Sequence, residues 1–227
     1  MTCLPDDLRH ADIKKIRKAI EKGADVNASS KDGWGWTPLF CAADKNSVEF
    51  AKFLIEKGAN VNAKTDDGET PLHRAVCSDS VEVAKLLIEH GADVHAKTDS
   101  GKSPLFYTQL FGGSRSVELI KLLLENGADI NAKTSSDQWS PLLQAALNDS
   151  VEMIKFLVKN GADVDTTNYG GSTPLHWVSY RGNIEAVKFL IERGADVNAK
   201  ASDGWTPLSK ARDDQTKRLL IEAGARI

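Results

Sequence analysis

Apolar residues along the chain fall in short blocks at helical spacing, separated by polar links of nearly constant length. In the block over 81–89, Val81, Ala84, Leu87 and Ile88 share one helical face. Glu82 lies in the first turn, where the helix dipole favours an anion, and Glu82 and Lys85 are spaced to pair on the outer face. Val83 and Leu86 point elsewhere, so the block is apolar on more than one side and predicts a helix sandwiched between neighbours. Helices of roughly ten residues fall below the ~12–15 needed to stand alone in water and persist only by stacking. The links read differently. In 61–69, Val61 and Ala63 alternate with Asn62 and Lys64, and Asp66-Asp67-Gly68 then makes a turn, which predicts a short β-hairpin tip.

The blocks are punctuated by two markers in constant phase. Thr37-Pro38-Leu39 recurs at Thr70, Ser103, Ser140, Thr173 and Thr206, in steps of 33, 33, 37, 33 and 33 residues. A hydroxyl residue followed by Pro is a helix start: the side-chain oxygen can accept from a free first-turn N–H, and Pro at the first position sacrifices no bond. The second marker is Gly-Ala-Asp or a close variant at Gly23, Gly58, Gly91, Gly127, Gly161, Gly194 and Gly224. Gly stops a helix because the residue past the end usually needs positive φ. About 20 residues separate start from stop, which fits two short helices with a tight turn between them. A period near 33 means one supersecondary unit copied along the chain.

The repeating pattern Asp-x-x-Gly-x-Thr-Pro-Leu-His, two helices, then Gly-Ala-Asp-Val-Asn closely resembles the ankyrin repeat, over essentially all of the chain. The expected fold is an all-α solenoid of stacked helix-turn-helix units with β-hairpin loops. It contains about seven repeats in a single domain: a shortened N-terminal cap over 1–30, repeats over 31–64, 65–97, 98–133, 134–167 and 168–200, and a closing cap over 201–227. The resemblance also implies that His73 and His176 bond to backbone of adjacent hairpins. It further implies that Asn62, Asn131 and Asn198 occupy the place where such hairpins can be hydroxylated, and that partners bind a concave face built from hairpin tips and first-helix ends.

Composition narrows the class. With 41% hydrophobic and 27% charged residues the chain suits a folded protein rather than a disordered one. A net charge of −3 supplies no bulk field for nucleic acid or acidic membrane. No apolar run approaches 18 residues and residues 2–7 lack a signal-peptide core. The cysteines Cys3, Cys41 and Cys77 are odd in number and spread over different repeats, which argues against a disulfide framework and for a reducing compartment. Cytosol or nucleus is therefore the expected location; a protein exported by a dedicated secretion machine would carry the same signature.

Irregularities in the repeat mark the candidate binding positions. The second hairpin has two extra residues and carries Trp34-Gly35-Trp36, whose rings either fold onto the first repeat or wait for a partner. Three extra residues fall around Leu110-Phe111-Gly112-Gly113, where the first helix is expected to run on before a protruding loop. Gln138 stands where the other hairpins have Gly. Mapped onto the family's concave face, the tips and helix ends carry ten acids, Asp66, Asp67 and Glu69 among them, against three bases, Lys45, Lys102 and Arg181. That leaves about −7 there and suggests steering of a basic partner. Leu110, Phe111, Trp139, Leu147, Tyr169 and Tyr180 form an aromatic and aliphatic group on the same face, extended by Trp205 and Trp36. Trp177 takes a position read as core packing. The charged run Lys210, Arg212, Asp213, Asp214, Lys217 and Arg218 reads as a polar end cap.

No chemical motif competes with a binding role. There is no Gly-x-Ser-x-Gly, phosphate-binding loop or paired-His helix. His73 and Cys77 lie one helical turn apart without a second ligand pair nearby, so no metal is expected. The expectation is a monomeric, non-catalytic module without cofactor that binds a protein or peptide of basic or aromatic character, and neither nucleic acid nor membrane. An inhibitor or host-directed effector that blocks an enzyme with the same groove is the alternative.

Overall fold

The computed structural model describes residues 4, 6–8, 10–108 and 116–226. Leu110, Phe111 and the rest of residues 109–115, where the three extra residues fall, lie outside the described residues, as does any extension of the preceding helix. The chain forms two compact units, residues 1–128 and 129–227. Unit 1 contains α1 (Ile13–Glu21), α2 (Pro38–Asp44), α3 (Val48–Glu56), α4 (Pro71–Cys77), α5 (Val81–Glu89), α6 (Pro104–Tyr107) and α7 (Ser116–Glu125). Unit 2 contains α8 (Pro141–Leu147), α9 (Val151–Lys159), α10 (Pro174–Arg181), α11 (Ile184–Glu192), α12 (Pro207–Lys210) and α13 (Asp214–Glu222).

Each unit is a stack of helix pairs in two layers. In unit 1 the first helices α2, α4 and α6 pack in one row and the second helices α3, α5 and α7 in another. In unit 2 the rows are α8, α10, α12 and α9, α11, α13. The sandwiching predicted for α5 is present: Val81, Val83, Ala84, Leu86 and Leu87 are all buried. Its Lys85 reaches Glu118 in the next repeat, Nζ to Oε1 at 3.0 Å. The N-terminal cap closes unit 1 with Leu8 and Ile16 fully buried.

Starts and stops act as their chemistry requires. Every Thr/Ser-Pro-Leu puts Pro in the first turn, after an extended Thr or Ser. At the end of α3, Gly58 takes φ +85; its N–H reaches Ile55 O and the Ala59 N–H reaches Leu54 O, which satisfies two carbonyls left open by the helix end. Between paired helices the left-handed residue is Asn46, Asp79, Asp149 or Gly182.

The links differ from the hairpin read in the sequence. No strand occurs among the described residues; each tip is a tight turn closed by few bonds. In 65–69, the Thr65 N–H donates to Glu69 O at 2.9 Å and the Gly68 N–H to Thr65 O at 2.9 Å. The alternation of Val61 and Ala63 is too short to propagate a ladder, and the tips bond to the neighbouring repeat as well.

Candidate functional site

The tips are positioned by bonds from repeat to repeat. In unit 1 the Asp99 N–H donates to Asp67 O at 3.1 Å; in unit 2 the Tyr169 N–H donates to Asp137 O and the Ser202 N–H to Gly170 O, each at 2.9 Å. Gly68 permits the close approach: its φ is +77, and a Cβ there would lie 2.8 Å from the Asp99 carboxylate and 3.0 Å from its backbone nitrogen.

Asparagines lace the other end of four links, at Asn27, Asn62, Asn131 and Asn198. The Asn62 amide donates to Gly91 O at 3.0 Å while its oxygen accepts from the Asp93 N–H at 2.8 Å. Asn198 repeats this with Gly224 and Arg226, and Asn131 with Gly161 and Asp163. All three proposed hydroxylation positions therefore clamp adjacent repeats through their side-chain amides.

The two histidines take the backbone role implied by the resemblance. Nε2 of His73 lies 3.1 Å from Lys102 O, so that nitrogen carries the proton, and Nδ1 accepts from the Thr70 N–H at 3.1 Å. Burial pushes His73 down from 6.5 to about 4. His176 bonds in the same way to Trp205 O and Thr173, and burial lowers it too. Cys41 is buried with its thiol on Leu8 O at 2.9 Å, and burial pushes it up to about 12, far from a reactive thiolate. Among the described residues no three His, Cys, Asp or Glu side chains cluster as metal ligands.

The candidate residues of unit 1 divide between surface and interior. Trp34 is 50% exposed at its tip, and Asp66 and Asp67 are exposed. Trp36 is only 1% exposed and is withdrawn from any partner: its ring packs against Phe40, and the Arg74 guanidinium lies over it at 4.8 Å. Glu69 is likewise turned inward. It accepts from Arg74 Nη2 at 3.1 Å and from the Tyr107 hydroxyl at 2.7 Å, which builds a network across three repeats. Asp67 and the remaining exposed edge of Glu69 line a cleft of about 310 Å³ with Thr98, Asp99, Ser100, Lys102 and Tyr107.

Unit 2 gathers the aromatic residues. Tyr169 is 82% exposed at its tip and Trp205 45% exposed at the next. Trp139 is half-buried against Trp177, ring centroids 5.4 Å apart. Leu147 is half-buried, and its carbonyl accepts twice from the exposed Arg181, at 3.1 and 2.8 Å. Tyr180 carries the Arg212 guanidinium over its ring at 3.8 Å and accepts from it through the hydroxyl. Lys210 lies over Trp205 at 4.6 Å. Ser172, His176, Trp177, Tyr180 and Lys210 line a cavity of about 90 Å³, and Tyr180, Arg181, Gly182, Arg212 and Asp213 line a cleft of about 370 Å³.

Trp177, Lys210 and Arg212 were not among the residues the sequence nominated. Arg212 sits one repeat beyond Tyr180, and that spacing was the available signal. Counting Arg74, Lys210 and Arg212 with the three bases also reduces the acid excess, and most of what remains lies in unit 1. No helix among the described residues is long and apolar enough to cross a membrane.

Comparison with known proteins agrees with this geometry. Models of ankyrin repeats match residues 9–98, 94–168 and 157–211. A 56-residue stretch is 48% identical to a putative ankyrin repeat protein of Rickettsia bellii, and a 63-residue stretch is 35% identical to the 2-5A-dependent ribonuclease of Mus musculus. These stretches cover 25% and 28% of this chain, but only 32% and 8% of those relatives. Among solved structures, the ankyrin repeat domain of Bcl-3, an IkappaB family member, superposes with a TM-score of 0.81 at 27% identity over 94% of this chain and 95% of that one. The human ASB11 ankyrin repeat domain gives 0.80 at 27% identity over 95% and 94%.

Proposed function

The chain belongs to the ankyrin-repeat family, a family of protein–protein interaction modules, and from that premise we propose that it is a non-catalytic binding protein whose partner docks on the aromatic face of unit 2. The observation that carries this reading is the exposure of two large rings, Tyr169 at 82% and Trp205 at 45%, on neighbouring tips. Neither exposure is needed for packing. Rings of this size held on rigid backbone lose little entropy on binding and are enriched at interface hot spots. Trp139, Tyr180 and Arg181 complete the surface, with Leu147 at its edge. On the same reading the scaffold histidines and asparagines have no chemical task beyond holding the tips in register.

The test is selection of peptides from a displayed random library on the intact protein, followed by affinity measurement against Tyr169→Ala/Trp205→Ala. Loss of a hot-spot ring costs about 2 kcal/mol, so the double variant should bind at least about 30-fold more weakly while its circular dichroism is unchanged. Equal affinity in a folded double variant would refute the assignment of this face.

A further inference from the structure

Two arginines of unit 2 are fixed in place without a counter-charge. Arg181, at the end of α10, donates from Nε and Nη2 to Leu147 O, at 3.1 and 2.8 Å. Arg212 lies over the Tyr180 ring, 3.8 Å from its centroid, and donates to its hydroxyl. All of these acceptors are neutral, and neither guanidinium forms an ion pair among the described residues, whereas Arg17, Arg74 and Lys210 do. Each guanidinium carries five N–H donors in a planar fork, so both retain donors while already held in one geometry. Both line the cleft of about 370 Å³.

The one carboxylate in that cleft, Asp213, is committed through one oxygen, Oδ1, while Oδ2 has no hydrogen-bond partner among the described residues. It caps α13 by accepting from the Thr216 N–H at 2.8 Å, and this bonding holds its carboxyl below the usual range. One negative charge against two positive leaves the cleft cationic. Tyr180 is shared with the adjoining cavity of about 90 Å³, whose walls include Trp177 and His176. A single tyrosine therefore separates an apolar cavity from a cationic cleft.

We propose that unit 2 takes an extended acidic segment of its partner. An apolar side chain enters the cavity beside Trp177, and a carboxylate within two residues of it bonds to Arg181 and Arg212. This rests on the binding reading above and adds the sign of the partner's charge. It is opposite to the basic partner suggested by the acidic tips: the exposed Asp66, Asp67 and Asp99 belong to unit 1, and of the exposed tip acids of unit 2, Asp137 and Asp203, the latter is paired with Lys210. Charge-assisted bonds to a guanidinium already positioned are the stronger class, because less freedom is lost on forming them.

The experiment uses the intact protein and the same displayed random library. Enriched peptides should carry Asp or Glu within two residues of a large apolar residue. Changing that acid to its amide in the best peptide should weaken binding about tenfold, with the protein untouched. The wild-type affinity should fall as salt is raised, and the acid-over-amide preference should vanish in Arg181→Gln/Arg212→Gln. Enrichment of basic or neutral peptides, equal binding of acid and amide forms, or binding only when a phosphoserine replaces the acid would overturn the proposal. If peptides bind through Tyr169 and Trp205 with no acid preference, this inference falls and the binding reading stands; if none enriches, both fall.

Discussion

Arg74 offers the sharpest test of how unit 1 is held together. Its guanidinium and the Glu69 carboxylate are 17% and 18% exposed, and the pair is joined at 3.1 Å. The same guanidinium covers Trp36, and Glu69 also accepts from Tyr107, so three consecutive repeats meet at one charge pair. Arg74→Ala would leave Glu69 largely desolvated with only a neutral donor and would uncover the Trp36 ring. Breaking a buried pair by removing one partner costs about 3–5 kcal/mol, and loss of the stacked cation adds about 1 kcal/mol; residual solvent access brings the expected total to about 3–4 kcal/mol. Arg74→Lys keeps the charge but loses the planar stack and should cost less. Urea denaturation of the wild type, Arg74→Ala, Glu69→Gln and the double variant closes a cycle whose coupling should be about 1.5–3 kcal/mol. Tyr107 gives an independent reading. Its phenol is raised by burial and by the Glu69 hydrogen bond, so Glu69→Gln should lower it in a spectrophotometric titration. A coupling below about 0.5 kcal/mol would show that the network is incidental and would return Trp36 and Glu69 to the list of partner contacts.

Three further outcomes are expected. The neutral His73 ring is favoured in the fold, so its contribution is complete above the unfolded value near 6.5 and is lost as pH falls from there through about 4; about 3 kcal/mol is at stake, and urea stability measured across this window should be flatter in His73→Gln. An unchanged slope would contradict the lowered pKa of the buried ring. Gln138 holds φ at +56 where the other tips use Gly, so Gln138→Gly should raise the melting temperature, with a gain of about 0.5–1 kcal/mol; a lower one would mean that the side-chain bond to Thr134 O outweighs the strain. Leu142, fully buried in α8, should cost about 2–5 kcal/mol as Ala in chemical denaturation, and a near-neutral result would contradict the helix register.

Elements whose cause is local could be read directly from the chain. Thr70-Pro71 starts a helix and Gly58 ends one through bonds within a few residues, so a short window suffices. The left-handed backbone at Gln138 was likewise visible as a Gly position occupied by another residue. The candidate site was harder because its determinants lie one repeat away. Trp36 and Trp34 have the same chemistry two residues apart, yet Arg74 covers only Trp36. Tyr180 meets Arg212 across 32 residues, and Asn183 meets Asp149 across 34. Pairs at this separation become neighbours only once the repeats are laid on one another, and the charged run around Arg212 then stops reading as a plain solvated end. The hairpin expectation held only as far as a turn: each link keeps a backbone bond such as Thr65 N–H to Glu69 O, too few to make strands, and further bonds run between tips.

The five tryptophans report on the central claim at once. With 5-fluorotryptophan in place of each, a fluorine NMR titration with a library-selected peptide should shift Trp205, Trp139 and Trp177 and leave Trp36 unmoved beneath Arg74. A titration that moves Trp34 or Trp36 while the three resonances of unit 2 stay fixed would contradict the account.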